Sequence, residues 1–368
     1  MDVVSLGETM ILFSAEETGQ LRYNRNFTSR VAGAETNTLI GLAKLGYQTG
    51  WMSRVGKDEL GKRILSRIRG EGVDTSFVKE DESAPTGLFL RERTTINSSR
   101  VFYYRNQSAA SKMVPADLEE SYIAKAKFLY LTGITPALSD SCKNTVLHAI
   151  ELAKKNGQKI VFDPNVRKTL LDDKTGRETL LEIVAKSDII LPGISEGYYL
   201  FKSTDCEQIA RECKQLGAEM VIVKLGEKGA YYSTSDTFGY VQPYQVATVI
   251  DPIGAGDGFA AGVLSGIFIG WWKAIIESIN DGVLMIDHNG YERMINLEYT
   301  RITGLPPDII GKPLGKYRPG AQPELSADSL RPSKLTKRCK STFTYATPIM
   351  FLLLEKSFNL HYFFVWSY

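Results

Sequence analysis

Through residue 270, short apolar runs alternate with stretches whose apolar residues recur three and four positions apart. The runs at 3–6, 128–131, 159–162 and 220–225 each close at a glycine or a polar residue, as buried strands do, and 51–55, 73–78 and 188–191 take strand places in the same alternation. Between them lie helical patterns. Leu39, Ile40, Leu42, Ala43 and Leu45 precede Gly46; a second helix runs from Asp58 to Gly72, a third from Ser139 to Gly157, a fourth over 175–186, and Glu196 opens a short one. This alternation predicts a mostly parallel sheet with helices on both faces. Two segments depart from it. Residues 21–31 mix Arg22, Arg25 and Arg30 with Tyr23 and Phe27, like a half-exposed sheet, and Phe89 and residues 101–105 flank Asn97-Ser98-Ser99 as a hairpin. On the second hairpin strand Val101, Tyr103 and Arg105 share one face, Phe102 and Tyr104 the other. Further short strands are expected at 230–233 and within 239–250.

The pattern breaks after residue 270. From Gly315 the chain is Pro-rich and basic (Arg331, Lys334, Lys337, Arg338, Lys340), and 343–368 is aromatic-rich with Glu355 and Lys356 but no steady period. Residues 315–368 are therefore expected to be a disordered or spuriously translated tail. A net charge of +2 leaves no electrostatic footprint for nucleic acid or a membrane, so small molecules are the expected partners. Cys142, Cys206, Cys213 and Cys339 form no CxxC pair, and His148, His288 and His361 are scattered, which points to a reducing, cytoplasmic setting without a disulfide framework. Met1-Asp2 lead straight into the first strand with no basic signal-peptide region, and no run reaches the roughly 18 apolar residues of a membrane span.

The richest chemistry lies in Asp251-Pro252-Ile253-Gly254-Ala255-Gly256-Asp257-Gly258, a glycine-rich turn feeding an apolar helix. Gly254 and Gly256 let successive N–H groups converge at a helix's positive end, which attracts an anion. Asp257 would stay ionised there, yet would repel a phosphate unless a reacting hydroxyl lay between them. Upstream, Asp163-Pro164-Asn165-Val166-Arg167 follows a strand's carboxyl end, where open α/β sheets hold ligands. Asp163 and Asn165 suit phosphate-bound Mg2+ or substrate. Arg167 and Arg105 together suit a carboxylate, which favours a sugar acid over a neutral sugar. Asn37 reads either as the cap of the helix after it or as a polar group facing a ligand.

Gly33-Ala34-Glu35-Thr36-Asn37, Tyr103-Tyr104-Arg105, Gly133-Ile134-Thr135-Pro136-Ala137-Leu138, Asp163 to Arg167 and the run from Asp251 to Leu264 together resemble the PfkB (ribokinase-like) carbohydrate kinases. Within that family they are most similar to the branch acting on 2-keto-3-deoxygluconate. The resemblance covers residues 1–270. It implies a ribokinase-like three-layer α/β/α sandwich with a small β-sheet lid, about 10–31 and 86–106, which also forms a homodimer contact. It implies transfer of the ATP γ-phosphoryl, with Mg2+, to the 6-hydroxyl of a keto-deoxy sugar acid, with Asp257 as general base and the amides from Gly254, Ala255 and Gly256 to Asp257 as an anion hole. Gly33, Asn37, Phe89, Tyr103, Arg105 and Arg167 would hold the substrate. Asp163, Asn165, Lys224, Gly226 and Gly229, with Gly254 and Gly256, would line the nucleotide side, and Glu196 would reach Mg2+ through water. Gly193, where many ribokinase-like enzymes carry Asn, fits the keto-deoxygluconate branch, and Phe89 stands where a tyrosine occurs in some members.

Residues 274–314 resemble the start of a PAS domain, with Asp281-Gly282, His288-Asn289-Gly290, Asn296 and Gly311-Lys312-Pro313 as its marks. The chain thus reads as a C-terminally truncated kinase domain whose last, roughly 40–50 residues are replaced by a partial PAS-like α+β segment. Three readings follow: a sugar-acid kinase, another sugar or nucleoside kinase of the same family, or an inactive kinase–PAS fusion that binds ligand as a sensor.

Overall fold

The computed structural model describes residues 1–95, 98–167, 170–171, 174–243 and 254–277 together with four strands further on, and the chain divides into two units, Met1–Val263 and Leu264–Tyr368. The first unit opens with β1 (Val3–Leu6), β2 (Met10–Thr18), β3 (Phe27–Ala32), α1 (Ala34–Lys44), β4 (Thr49–Gly56), α2 (Glu59–Gly70), β5 (Asp74–Asp81), β6 (Leu88–Arg93) and β7 (Ser99–Tyr104). It continues with α3 (Glu120–Ile123), β8 (Phe128–Thr132), α4 (Asp140–Lys155), β9 (Lys159–Asp163), α5 (Thr175–Val184), β10 (Ile189–Ile190), α6 (Ile194–Phe201) and α7 (Cys206–Gln215). Last come β11 (Met220–Lys224), β12 (Ala230–Ser233), β13 (Phe238–Val241) and the start of α8 (Ala255–Glu277).

Nine strands form one sheet in the order β13-β12-β11-β10-β9-β8-β1-β4-β5. From β11 to β5 every pairing is parallel, and β12 and β13 close one edge antiparallel. Every residue of β1 and β8 is buried, Ser5 included, whose Oγ donates to the Tyr130 carbonyl at 2.6 Å, which explains why these strands read as nearly continuous apolar runs. Leu6, Leu129, Leu131, Ile160, Phe162 and Val221 form the core with Val146 and Ile150 of α4, Ile183 of α5 and Ile209 of α7. Each such side chain contributes about 1.5–3 kcal/mol by leaving water. Helix starts follow the expected chemistry: Asp58 accepts the Gly61 N–H and Ser139 the Cys142 N–H. The consequence for function is that the carboxyl ends of β1, β8, β9 and β11 lie side by side.

A second sheet, β3-β2-β6-β7, corresponds to the expected lid. β2 pairs antiparallel with β3 and parallel with β6, and β6 pairs antiparallel with β7. Met10, Leu12 and Phe89 form its apolar face, with Ala32 and Val101 packed on them. Residues 96 and 97 of the hairpin lie outside the described residues. Leu21–Tyr23 is a single 3-10 turn instead of strand, because the Leu21 N–H is drawn to Glu92 Oε2 (2.7 Å) and the Tyr23 N–H to the Gln20 carbonyl (3.0 Å). Of the strands expected within 239–250, β13 is present, and 244–253 lie outside the described residues.

The second unit contains β14 (Gly282–Ile286), β15 (Glu292–Ile295), β16 (Thr347–Leu354) and β17 (Leu360–Ser367), an antiparallel sheet in the order β15-β14-β16-β17. β16 and β17 pair from Thr347↔Ser367 to Leu354↔Leu360, within the stretch expected to be a disordered tail. Ile349, Phe351, Tyr362, Phe363, Val365 and Trp366 are strong strand formers, and this propensity is expressed there without a period-two pattern. Among the described residues no helix is long and apolar enough to cross a membrane.

Candidate active site

β9 ends on Asp163 and β11 on Lys224, and the short β10 between them lets the two side chains meet. Lys224 Nζ donates to both Asp163 oxygens, at 2.8 and 2.7 Å. Asp163 is 1% exposed. Burial pushes its carboxyl up to about 7 against the attraction of Lys224. Burial also pulls the Lys224 ammonium down, but Asp163 and Glu196 outweigh it and hold it above its ordinary value. Asn165 follows in the left-handed region at φ +37°, its N–H on Asp163 Oδ1. Glu196, in the first turn of α6, accepts the Gly193 N–H at 2.5 Å and the Val166 N–H at 3.2 Å, and lies 3.8 Å from Lys224 Nζ. It therefore caps its own helix and pins the loop after β9.

Asp257 lies in the first turn of α8, 8% exposed. Asn37 Nδ2 donates to its Oδ2 at 2.7 Å, and Thr38 Oγ1 donates to its backbone carbonyl at 3.2 Å. These contacts bind the starts of α1 and α8 together across 220 positions of sequence. Asn37 is accordingly not a cap. Gly33 holds that position in extended backbone, and a Cβ there would come within 2.5 Å of Thr9 Oγ1. Burial raises the Asp257 carboxyl above the usual range, while the Asn37 hydrogen bond and then the charges of Arg167 and Lys224 oppose the rise. Just before the helix, Gly254 has φ +82° and its carbonyl accepts the Gly258 N–H at 2.9 Å. Ala255 and Gly256 follow it into the turn, and a left-handed residue here is what turns the chain into the helix, whose first N–H groups have no partner within the helix itself.

Arg105 is buried, and its guanidinium is already engaged: Nε donates to Glu8 Oε2 at 2.7 Å and Nη2 lies 2.5 Å from the same oxygen. The Tyr103 ring lies beside it, 5.6 Å from the guanidinium carbon, and Phe89 packs on Tyr103 at 5.4 Å between centroids. Arg167 is exposed past β9 and reaches Asp257 by its charge. The two arginines are thus held by different elements, one at the lid and one at the sheet. Gly226 and Gly229, at φ +62° and +88°, make the tight turn after Lys224, closed by the Leu225 N–H on the Gly229 carbonyl at 2.9 Å.

Two acids escape a reading of the sequence. Glu8 is signalled only by being a lone carboxylate at the carboxyl end of a buried strand. Glu35, 1% exposed, accepts from Thr132 Oγ1 at 2.7 Å and Thr135 Oγ1 at 2.8 Å through Oε1, while its Oε2 has no partner among the described residues. Burial raises its carboxyl as well. Among the described residues no three His, Cys, Asp or Glu side chains gather as a metal cage. Asp163 and Glu196, whose oxygens are occupied by Lys224 and backbone N–H groups, suit a Mg2+ that keeps its water shell and is carried by phosphates.

A family model for the pfkB family carbohydrate kinases matches residues 1–272, and one for the PAS fold matches 271–346. The chain is 41% identical over 272 residues to the 2-dehydro-3-deoxygluconokinase of Bacillus subtilis strain 168, a match covering 73% of this chain and 84% of that protein. The crystal structure of a PfkB protein from Polaromonas sp. JS666 superimposes with a TM-score of 0.69 at 38% identity, over 73% of this chain and 89% of that one. An E. coli protein assigned as ribokinase II, solved in complex with ATP and Mg2+, gives 0.67 at 26% identity over 73% and 86%.

Proposed function

The chain belongs to the pfkB family of carbohydrate kinases through residues 1–272, and from that membership we propose that it transfers the γ-phosphoryl group of ATP to the 6-hydroxyl of 2-keto-3-deoxygluconate. The observation that carries this reading is the Asn37–Asp257 hydrogen bond, which aims a buried carboxylate at the mouth of a left-handed glycine turn. A sugar hydroxyl seated between Asp257 and the phosphate gives its proton to the carboxylate as the new O–P bond forms and the bond to ADP breaks. Burial makes Asp257 a stronger base than a surface aspartate, while Asn37, Arg167 and Lys224 keep it ionised often enough to act. The N–H groups from Gly254 to Asp257 would take the charge on the transferring group. Lys224, buttressed by Asp163, would face the phosphates, with Gly226 and Gly229 letting the backbone approach them. Mg2+, when bound, neutralises phosphate charge, and Glu196 with Asp163 and Asn165 would hold its waters. Arg105 and Arg167, with Gly33, Asn37, Phe89 and Tyr103, would hold the sugar acid. A cytoplasmic setting, where ATP is plentiful, agrees with this reading.

The match to the Bacillus kinase leaves about a sixth of that relative unmatched, and the PAS-fold match begins at residue 271, as the carbohydrate-kinase match ends at 272. We therefore read residues 1–270 as the kinase domain, lacking its usual last segment, with a PAS-like segment after it. ADP release with 2-keto-3-deoxygluconate, ATP and Mg2+ tests the proposal. The chain should turn over, and Asp257→Asn should lose about 10²–10⁴-fold in kcat, the usual contribution of a general base. Asp257→Asn within tenfold of the parent would remove Asp257 from the role. Turnover of a neutral sugar or a nucleoside in preference to the acid would favour the wider family reading. A folded chain that binds the sugar acid without turnover would favour the sensor.

A further inference from the structure

We propose that Glu8 is a positioning residue that decides which edge of the Arg105 guanidinium faces the substrate; the inference rests on the sugar-acid reading above. Glu8 follows β1 in the main sheet and Arg105 follows β7 in the lid, so their contact joins the two sheets at the site. Glu8 is 3% exposed and Arg105 7%. A guanidinium has five N–H donors in one plane. Glu8 Oε2 occupies the Nε–Nη2 edge, at 2.7 and 2.5 Å. The Nη1-bearing edge keeps its donors for a second carboxylate, which it can meet with two parallel hydrogen bonds.

Glu8 is itself held. Ser108 Oγ donates to its Oε1 at 2.5 Å, and the Ser108 N–H bonds the Arg105 carbonyl at 3.1 Å, so acid, arginine and serine close a ring of contacts. From the lid side only a glycine at position 87 leaves room for the same oxygen: a Cβ there would lie 2.6 Å from Oε1. The carboxylate therefore has one arrangement, and through it so does the guanidinium. The arrangement also sets a charge balance. Arg105 with Glu8 is nearly neutral as a pair, so Arg105 contributes direction, while the exposed Arg167 supplies the net positive charge that draws the acid in. Glu8 thus makes the site selective for a planar carboxylate at a fixed angle more than for negative charge in general.

The test compares Glu8→Ala, Glu8→Gln, Arg105→Ala and the Glu8→Ala/Arg105→Ala double variant in the full chain, by steady-state kinetics with 2-keto-3-deoxygluconate and with ATP. Glu8→Ala should raise KM for the sugar acid by about tenfold or more while KM for ATP stays within about twofold. Glu8→Gln, which keeps an oxygen for Arg105 Nε and fills the same volume, should recover to within about threefold of the parent. In the Arg105→Ala background, Glu8→Ala should add nothing, because it acts through that arginine. Multiplying effects in the double variant, an equal rise in KM for ATP, or a glutamine variant as impaired as the alanine one would each overturn the proposal. If the parent neither binds nor turns over the sugar acid, the substrate reading fails first and takes this proposal with it. If the parent is active and Glu8→Ala matches it, the positioning role alone is refuted.

Discussion

Removing the Asn37 amide is the perturbation that most directly probes the catalytic geometry. Among the described residues it makes the only hydrogen bond to the Asp257 carboxylate, at 2.7 Å, in a site where Asp257 is 8% exposed. A hydrogen bond to a charged group contributes about 1.5–3 kcal/mol. If that orientation is needed in the transition state, Asn37→Ala loses roughly 10- to 150-fold in kcat/KM. The pH dependence gives a second, independent sign. Asp257 acts as a base only when ionised, burial already raises its pKa, and Asn37 opposes that rise. Taking Asn37 away must therefore shift the acid limb of the kcat/KM profile to higher pH, so the deficit is greatest in acid and narrows in alkali. Asn37→Asp should shift the limb further the same way, since two carboxylates at that distance share a proton. The assay is ADP release at saturating ATP and Mg2+ across the pH range. An alanine variant within threefold of the parent at every pH, or a limb that moves to lower pH, would refute the role assigned to this contact.

Two further outcomes are expected. Lys224→Met leaves Asp163 buried without its cation and should cost about 3–5 kcal/mol of unfolding free energy, read by pulse proteolysis in urea; adding Asp163→Asn should return more than half of it, and simple additivity of the two changes would show that the pair is not coupled. The lid leaves Phe27 36% and Tyr104 60% exposed, so we expect the chain to sediment as a homodimer and the Phe27→Ser/Tyr104→Ser variant as a monomer; a parent that is already monomeric would refute the lid contact.

The proposed replacement of the family's last segment bears on all of these measurements. Asp257, Asn37, Asp163, Lys224 and Glu196 all lie before residue 264, within the first unit. The groups proposed for phosphoryl transfer are therefore carried by that unit, and activity of the full chain would show that the unmatched sixth of the Bacillus relative is dispensable for chemistry.

Much of this protein was determined by local sequence. Strands covered on both faces had to be almost continuously apolar, so Val3–Leu6 and Phe128–Thr132 announced themselves. Asp58 and Ser139 marked helix starts because their side chains satisfy N–H groups within three residues. The turn at Gly254 was legible because only glycine takes its backbone angle without strain. Tertiary structure alone decided the partners. Asn37 finds Asp257, Arg105 finds Glu8 and Lys224 finds Asp163 across 220, 97 and 61 positions, and no local pattern encodes which distant side chain will lie within hydrogen-bond reach. Asn37 could be a cap or a ligand-facing group until α1 and α8 were seen to start at the same place. Arg105 reads in the sequence as half of a carboxylate-binding pair, and nothing local reveals that Glu8 holds its inner edge. The physical reason is common to both: hydrogen bonds and ion pairs act over a few ångströms, so their energies are set by the sheet order that brings strand ends together, and by the burial that then magnifies each charge.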